Sequence, residues 1–132
     1  MDTMVLSELS KARPDPRVLE WIAAQDNESL FLSVMTLGEI ERGILKKRRT
    51  EPGKADRISA WLDAVVLQFD QRFLQVTPAI SKRWGRLSIA ASPQDVDLLI
   101  AATALVHGLT VVTRNTRHFE PTGVRLFNPY TA

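Results

Sequence analysis

Apolar residues recur along this chain with two periods, and the switching between them outlines the fold. Helical spacing marks residues 5–11 as a short helix and residues 16–25 as a second one, with Asp15 placed to cap it and Pro16 at its first position. Leu30-Phe31-Leu32-Ser33 is an apolar run of strand length. Residues 36–48 return to helical spacing, with Ile40, Ile44 and Leu45 assigned to one face. Residues 54–69 repeat it, with Ile58, Trp61, Leu62, Val65 and Val66 as the buried stripe. Glu51-Pro52-Gly53 separates these two helices as a loop. Residues 73–76 read as a strand, 78–90 as a helix, and 93–107 as a helix closed by Gly108 in a left-handed cap. Residues 110–113 and 124–127 are the last two strands. Strands separated by helices pair in parallel through right-handed crossovers. The expected fold is therefore α/β, three layers, with a small mainly parallel sheet and helices on both faces. Such sheets bind ligands at the carboxyl ends of their strands.

Composition narrows this picture only a little. At 132 residues the chain is expected to be a single domain spanning 1–132. Its 45% hydrophobic and 24% charged residues are ordinary for a globular protein. Cysteine is absent, which excludes disulfides and thiolate metal sites. No apolar run reaches the ~20 residues of a membrane span and no secretory leader opens the chain, so the cytoplasm is the expected compartment. The net charge of +2 says little about partners. Arg42, Lys46, Lys47, Arg48 and Arg49 form one basic cluster, best read as a solvated helix end, and Arg114 and Arg117 form another. There is no glycine-rich phosphate loop, no Gly-x-Ser-x-Gly elbow, and no paired histidine spacing for zinc.

The acids carry more information. The helix at 93–107 is apolar nearly all round, yet two acids stand at its start. Ser92, Pro93 and Asp95 form a capping arrangement, which accounts for Asp95. Asp97 lies beyond capping reach, and an ionised acid entering an apolar helix is costly unless it is paired or binds a cation. Glu39 has two readings. With Thr36 it completes a capping box; with Ser33 as the cap it is released for other work. Glu41 falls on the other side of that helix, toward solvent. Asp2 precedes a helix that Thr3 could cap equally well. Thr113-Arg114-Asn115 directly follows a buried strand, where α/β proteins place functional side chains. His107, in a last helical turn, suits the helix dipole and reads as structural.

Four segments stand out together: Asp2-Thr3-Met4-Val5-Leu6-Ser7-Glu8-Leu9, the stretch from Ser33 through Thr36, Glu39 and Glu41 to Ile44, Asp97-Leu98-Leu99-Ile100-Ala101-Ala102-Thr103-Ala104, and Leu109-Thr110-Val111-Val112-Thr113-Arg114-Asn115. In this order they resemble the PIN-domain proteins, specifically the VapC/FitB-like toxins of bacterial toxin–antitoxin pairs. The resemblance implies an endoribonuclease dependent on Mg²⁺ or Mn²⁺, with Asp2, Glu39 and Asp97 as metal-binding acids and Thr113 and Asn115 supporting the site. It implies structured RNA as substrate, transfer RNA among the targets, a small antitoxin as inhibitor, and a homodimer. The chemistry agrees: Mg²⁺ and Mn²⁺ prefer carboxylate oxygen, and Arg114 and Arg117 are the candidate RNA contacts.

The chain departs from that pattern in three places. The family carries an apolar strand before the first acid where this sequence has only Met1, so the first strand is expected to be truncated and the fold weakened around Asp2. Met4 stands where an Asn is usual. His118 stands where an acid is usual, a candidate substitute at a fourth position that would favour Mn²⁺ over Mg²⁺. These departures point to an alternative, a degenerate PIN module that binds RNA or antitoxin without cutting; a DNA- or structure-specific nuclease on the same scaffold is a third reading.

Overall fold

A computed structural model describes residues 1–90 and 95–131. Helix α1 (Thr3–Glu8) is started by Asp2, whose carboxylate accepts from the Val5 N–H. Helix α2 (Pro16–Ala24) is capped by Asp15 as its sequence predicts. Strand β1 (Leu32–Ser33) runs into α3 (Val34–Arg48), where Ser33 caps the Met35 N–H. Then come α4 (Pro52–Gln68), β2 (Phe73–Leu74), α5 (Pro78–Ala90), α6 (Asp95–His107), β3 (Val111–Val112), the short α7 (Thr116–Phe119) and β4 (Leu126–Phe127). The expected Ser92–Pro93 cap lies outside the described residues.

Gly108 closes α6 at φ +67°, the left-handed geometry that a residue with a Cβ adopts only at a cost. Strand β1 pairs in parallel with β2, and β3 in parallel with β4. Each strand is shorter than its apolar run, because pairing covers only part of that run. Met1 and Asp2 bridge the two pairs. The Met1 amino group donates to the Phe31 carbonyl at 3.0 Å, and the Asp2 N–H donates to the Val112 carbonyl at 3.0 Å. Two residues thus span the gap between the edges of β1 and β3, and Asp2 is held at 4% exposure despite the short start.

The core confirms helices on both faces. Adjacent strand residues point to opposite sides. Val111 packs with Ile100, Ala101, Ala104 and Phe119 from α6 and α7, whereas Val112 packs with Val5 and Val18 from α1 and α2. The stacked rings of Trp21 and Phe127, 5.6 Å apart, close that second face. A third cluster joins α1, β1, α3 and α4 through Leu6, Leu32, Ile44 and Leu62.

Pro52 and Gly53, read as loop, instead open α4, because proline suits a first helical position. Leu45 and Val66, expected on buried stripes, are 56% and 38% exposed. Each directly follows a buried residue, Ile44 or Val65, and one step along a helix turns a side chain by about 100° and off the face. No helix among the described residues is long and apolar enough to cross a membrane.

Candidate metal centre

The site forms where α1, α3, α6 and the end of β3 meet. Asp2 is its most constrained member. One carboxylate oxygen accepts from the Val5 N–H at 2.9 Å and the other from the Thr113 hydroxyl at 2.5 Å. Thr113, fully buried at the end of β3, accepts in turn from the Asn115 N–H at 2.9 Å. The expected link between the first acid and the segment after the later strand is therefore physical: a chain of hydrogen bonds from Asn115 through Thr113 to Asp2. Two donors fix the Asp2 carboxylate without neutralising its charge.

Glu39 takes the second of its two sequence readings. With Ser33 capping α3, Thr36 is not the cap, and the Glu39 carboxylate instead accepts from the Thr3 hydroxyl. Thr3 also lies 3.4 Å from the hydroxyl of Thr36, which is fully buried. Asp97 is the third residue of α6 and half-buried. Burial pushes its carboxyl above the usual carboxylate range, the Glu39 and Asp2 charges push it further, and His118 pulls it back. The His118 Nδ1 stands 3.6 Å from an Asp97 oxygen. Electrostatically, then, the three acids are neighbours.

They are not yet a coordination sphere. Among the described residues no three Asp, Glu, His or Cys side chains stand close enough to hold one metal ion. The donor set nevertheless fits a hard divalent cation. It consists of oxygen donors whose mutual repulsion raises Asp97, and a cation relieves such repulsion. Asn115 is exposed at the start of α7 and makes no capping bond with its side chain. Arg114 and Arg117 are exposed, and Arg114 lies over the Tyr130 ring at 4.8 Å. Met4, at the position where an amide is usual, is half-exposed.

Sequence reasoning missed the hydroxyl at Thr3. A threonine at a helix start reads as a cap; its real role shows only once α3 packs against α1. Beside Glu39 a cleft of about 430 Å³ runs between α1, α3 and α4. Ile40, Ile44 and Trp61 form its apolar lining, and Lys11, Lys47 and Arg57 contribute cations.

Fold and site together define a class: a small parallel α/β protein that gathers carboxylates and their hydroxyl supports at the carboxyl end of its strands. Residues 1–123 match the PIN domain, and the chain belongs to the PIN-domain family, in its VapC/FitB-like branch. It is 39% identical to the VapC ribonuclease Y4jK of Sinorhizobium fredii, over 98% of this chain and 96% of that protein. It is 34% identical to the plasmid stability protein StbB of Pseudomonas syringae pv. tomato, over 100% of this chain and 98% of that protein. The crystal structure of FitAcB from Neisseria gonorrhoeae superposes with a TM-score of 0.90 at 28% identity, covering 99% of this chain and 97% of that one.

Proposed function

We propose that this protein is a metal-dependent endoribonuclease toxin, with Asp2, Glu39 and Asp97 holding Mg²⁺ or Mn²⁺. The observation that carries this reading is the pairing of Asp2 and Glu39 with neighbouring hydroxyls, Thr113 on one and Thr3 on the other, with Asp97 at the start of α6 near enough to feel both charges. The ribonuclease named among its relatives supports the choice of substrate.

The cation, when bound, supplies Lewis acidity toward a phosphodiester. The residues of the chain do the rest. Thr113 and the Val5 N–H hold Asp2 in one orientation, and Thr3 holds Glu39. These supports are the outer shell that fixes ligand geometry. Asn115 lies next to that shell and offers an amide to substrate or solvent. Arg114 and Arg117 meet the RNA backbone, transfer RNA being the structured substrate the family favours.

The cleft beside Glu39 suits the antitoxin: apolar residues for the buried face of a peptide and cations for its acidic flanks. The family also favours a homodimer.

Incubating purified protein with a total RNA pool in Mg²⁺, Mn²⁺ or chelator tests the reading. Cleavage that needs metal and disappears in Asp97→Asn is expected; cleavage that survives chelation contradicts it. The second reading, a PIN module that binds without cutting, draws on His118 beside Asp97 and on the open spacing of the acids. It requires RNA or antitoxin binding with no cleavage under any metal.

A further inference from the structure

Glu8 is a buried carboxylate, 5% exposed, that the metal site does not use. It accepts from the Tyr130 hydroxyl at 2.9 Å, from Lys11 Nζ at 3.0 Å and from the Asp15 N–H at 3.0 Å. Tyr130 is itself buried at 5% exposure, and Phe127, three residues earlier, is stacked on Trp21. The end of the chain is thereby locked onto α1 and the start of α2. On the ring so fixed rests the guanidinium of Arg114, 4.8 Å from its centroid.

Arg114 directly follows Thr113, the residue that holds Asp2. An exposed arginine ordinarily samples many rotamers, and ordering it on binding costs affinity. Stacking a guanidinium on an aromatic face removes that freedom while leaving its N–H edge available to a phosphate.

We infer that Glu8 and Tyr130 are positioning residues that hold Arg114, beside the acids, in the orientation that grips a phosphate of the RNA backbone. The inference rests on RNA being the substrate. Glu8 and Tyr130 touch neither RNA nor metal; they act only through Arg114.

A double-mutant cycle on RNA affinity tests this, using a fluorescent structured RNA hairpin, the full chain and a chelator, so that cleavage plays no part. Arg114→Ala is expected to weaken binding about tenfold at low salt and to reduce the salt slope by about one. Tyr130→Leu, which removes the ring, is expected to weaken binding about 2- to 5-fold, the size of an exposed cation–π contact. It should cost nothing further in the Arg114→Ala background. Tyr130→Phe keeps the ring and loses only the Glu8 anchor; it gives a smaller loss that also vanishes without Arg114. It serves as the second pair should Tyr130→Leu not fold. Additive losses in the cycle would overturn the inference, because a merely structural tyrosine weakens both backgrounds alike. So would absence of RNA binding by the unaltered chain. The nuclease reading fails by a different result: RNA bound but left intact with metal present.

Discussion

Glu8 and Asp97 are two carboxylates withdrawn from water, and their surroundings drive them in opposite directions. At Glu8, burial opposes the charge, but hydrogen bonds from Lys11, Tyr130 and the Asp15 N–H outweigh it and bring the carboxyl below its ordinary range. At Asp97, burial is reinforced by the Glu39 and Asp2 charges and only partly offset by His118, and the carboxyl rises. Both acids are part of one fold, yet only the first is satisfied by it. A carboxylate with its own cation and two neutral donors is a structural anchor. A carboxylate raised by burial and by two like charges lacks such an anchor, and the divalent cation proposed here would relieve it.

Exchanging charge for shape at each acid breaks this comparison most sharply. Asp97→Asn should lower RNA cleavage by about 100-fold or more, since even outer-shell partners of a metal cost 10- to 100-fold. Because its pKa is raised by folding, Asp97 opposes folding at neutral pH. The same variant should therefore melt at or above the temperature of the parent in calorimetry; a clear fall in Tm would show Asp97 to be an anchor like Glu8.

Thr113→Val combines both roles. It leaves a buried Asp2 oxygen without its donor, which should cost about 1–3 kcal/mol in denaturant unfolding. It should also reduce cleavage about 10-fold or more. Loss of stability with full activity would detach Thr113 from the site.

Glu8→Gln leaves the three acids untouched, should weaken RNA binding only through Tyr130 and Arg114, and should act on the pH dependence of stability. The folded pKa of Glu8 lies below its unfolded value of about 4.3. Its stabilisation is therefore present above that pH and lost as pH falls through the folded value. The variant should be less stable than the parent at pH 7, with the difference narrowing steadily below about pH 4. Chemical denaturation across that range measures it; a constant difference would mean that the charge of Glu8 is irrelevant.

The smallest effect is expected at His118. His118→Asp replaces an imidazole with a hard oxygen donor next to Asp97, and should shift the ratio of Mg²⁺- to Mn²⁺-supported cleavage toward Mg²⁺ by a few-fold. An unchanged ratio would place His118 outside the metal's environment.

What the sequence could show depended on how far apart the interacting residues lie. The order of helices and strands, the Asp15 cap and the left-handed Gly108 were legible because each depends on neighbours in the chain. Strand lengths were overread, since an apolar run such as Leu30 to Ser33 does not reveal where pairing stops. Leu45 and Val66 were misplaced because consecutive apolar residues do not define a single helix face. In the proposed site, Asp97 stands out in the sequence as an acid out of place in an apolar helix, whereas Asp2 has little but the family pattern to recommend it. Glu39 has two equal readings in the sequence, and only the Ser33 cap on α3 separates them. The Thr113–Asp2 bond spans 111 residues and the Tyr130–Glu8 bond spans 122, and no local periodicity carries either.

The central claim is that Asp2, Glu39 and Asp97 share one divalent cation. Titrating Mn²⁺ into the purified chain, with free ion followed by electron paramagnetic resonance, measures this without RNA and without turnover. A saturable site in the parent that is lost in Asp97→Asn and weakened in Thr113→Val is the expected result. Equal Mn²⁺ binding by parent and Asp97→Asn, or none by a folded parent, would contradict it.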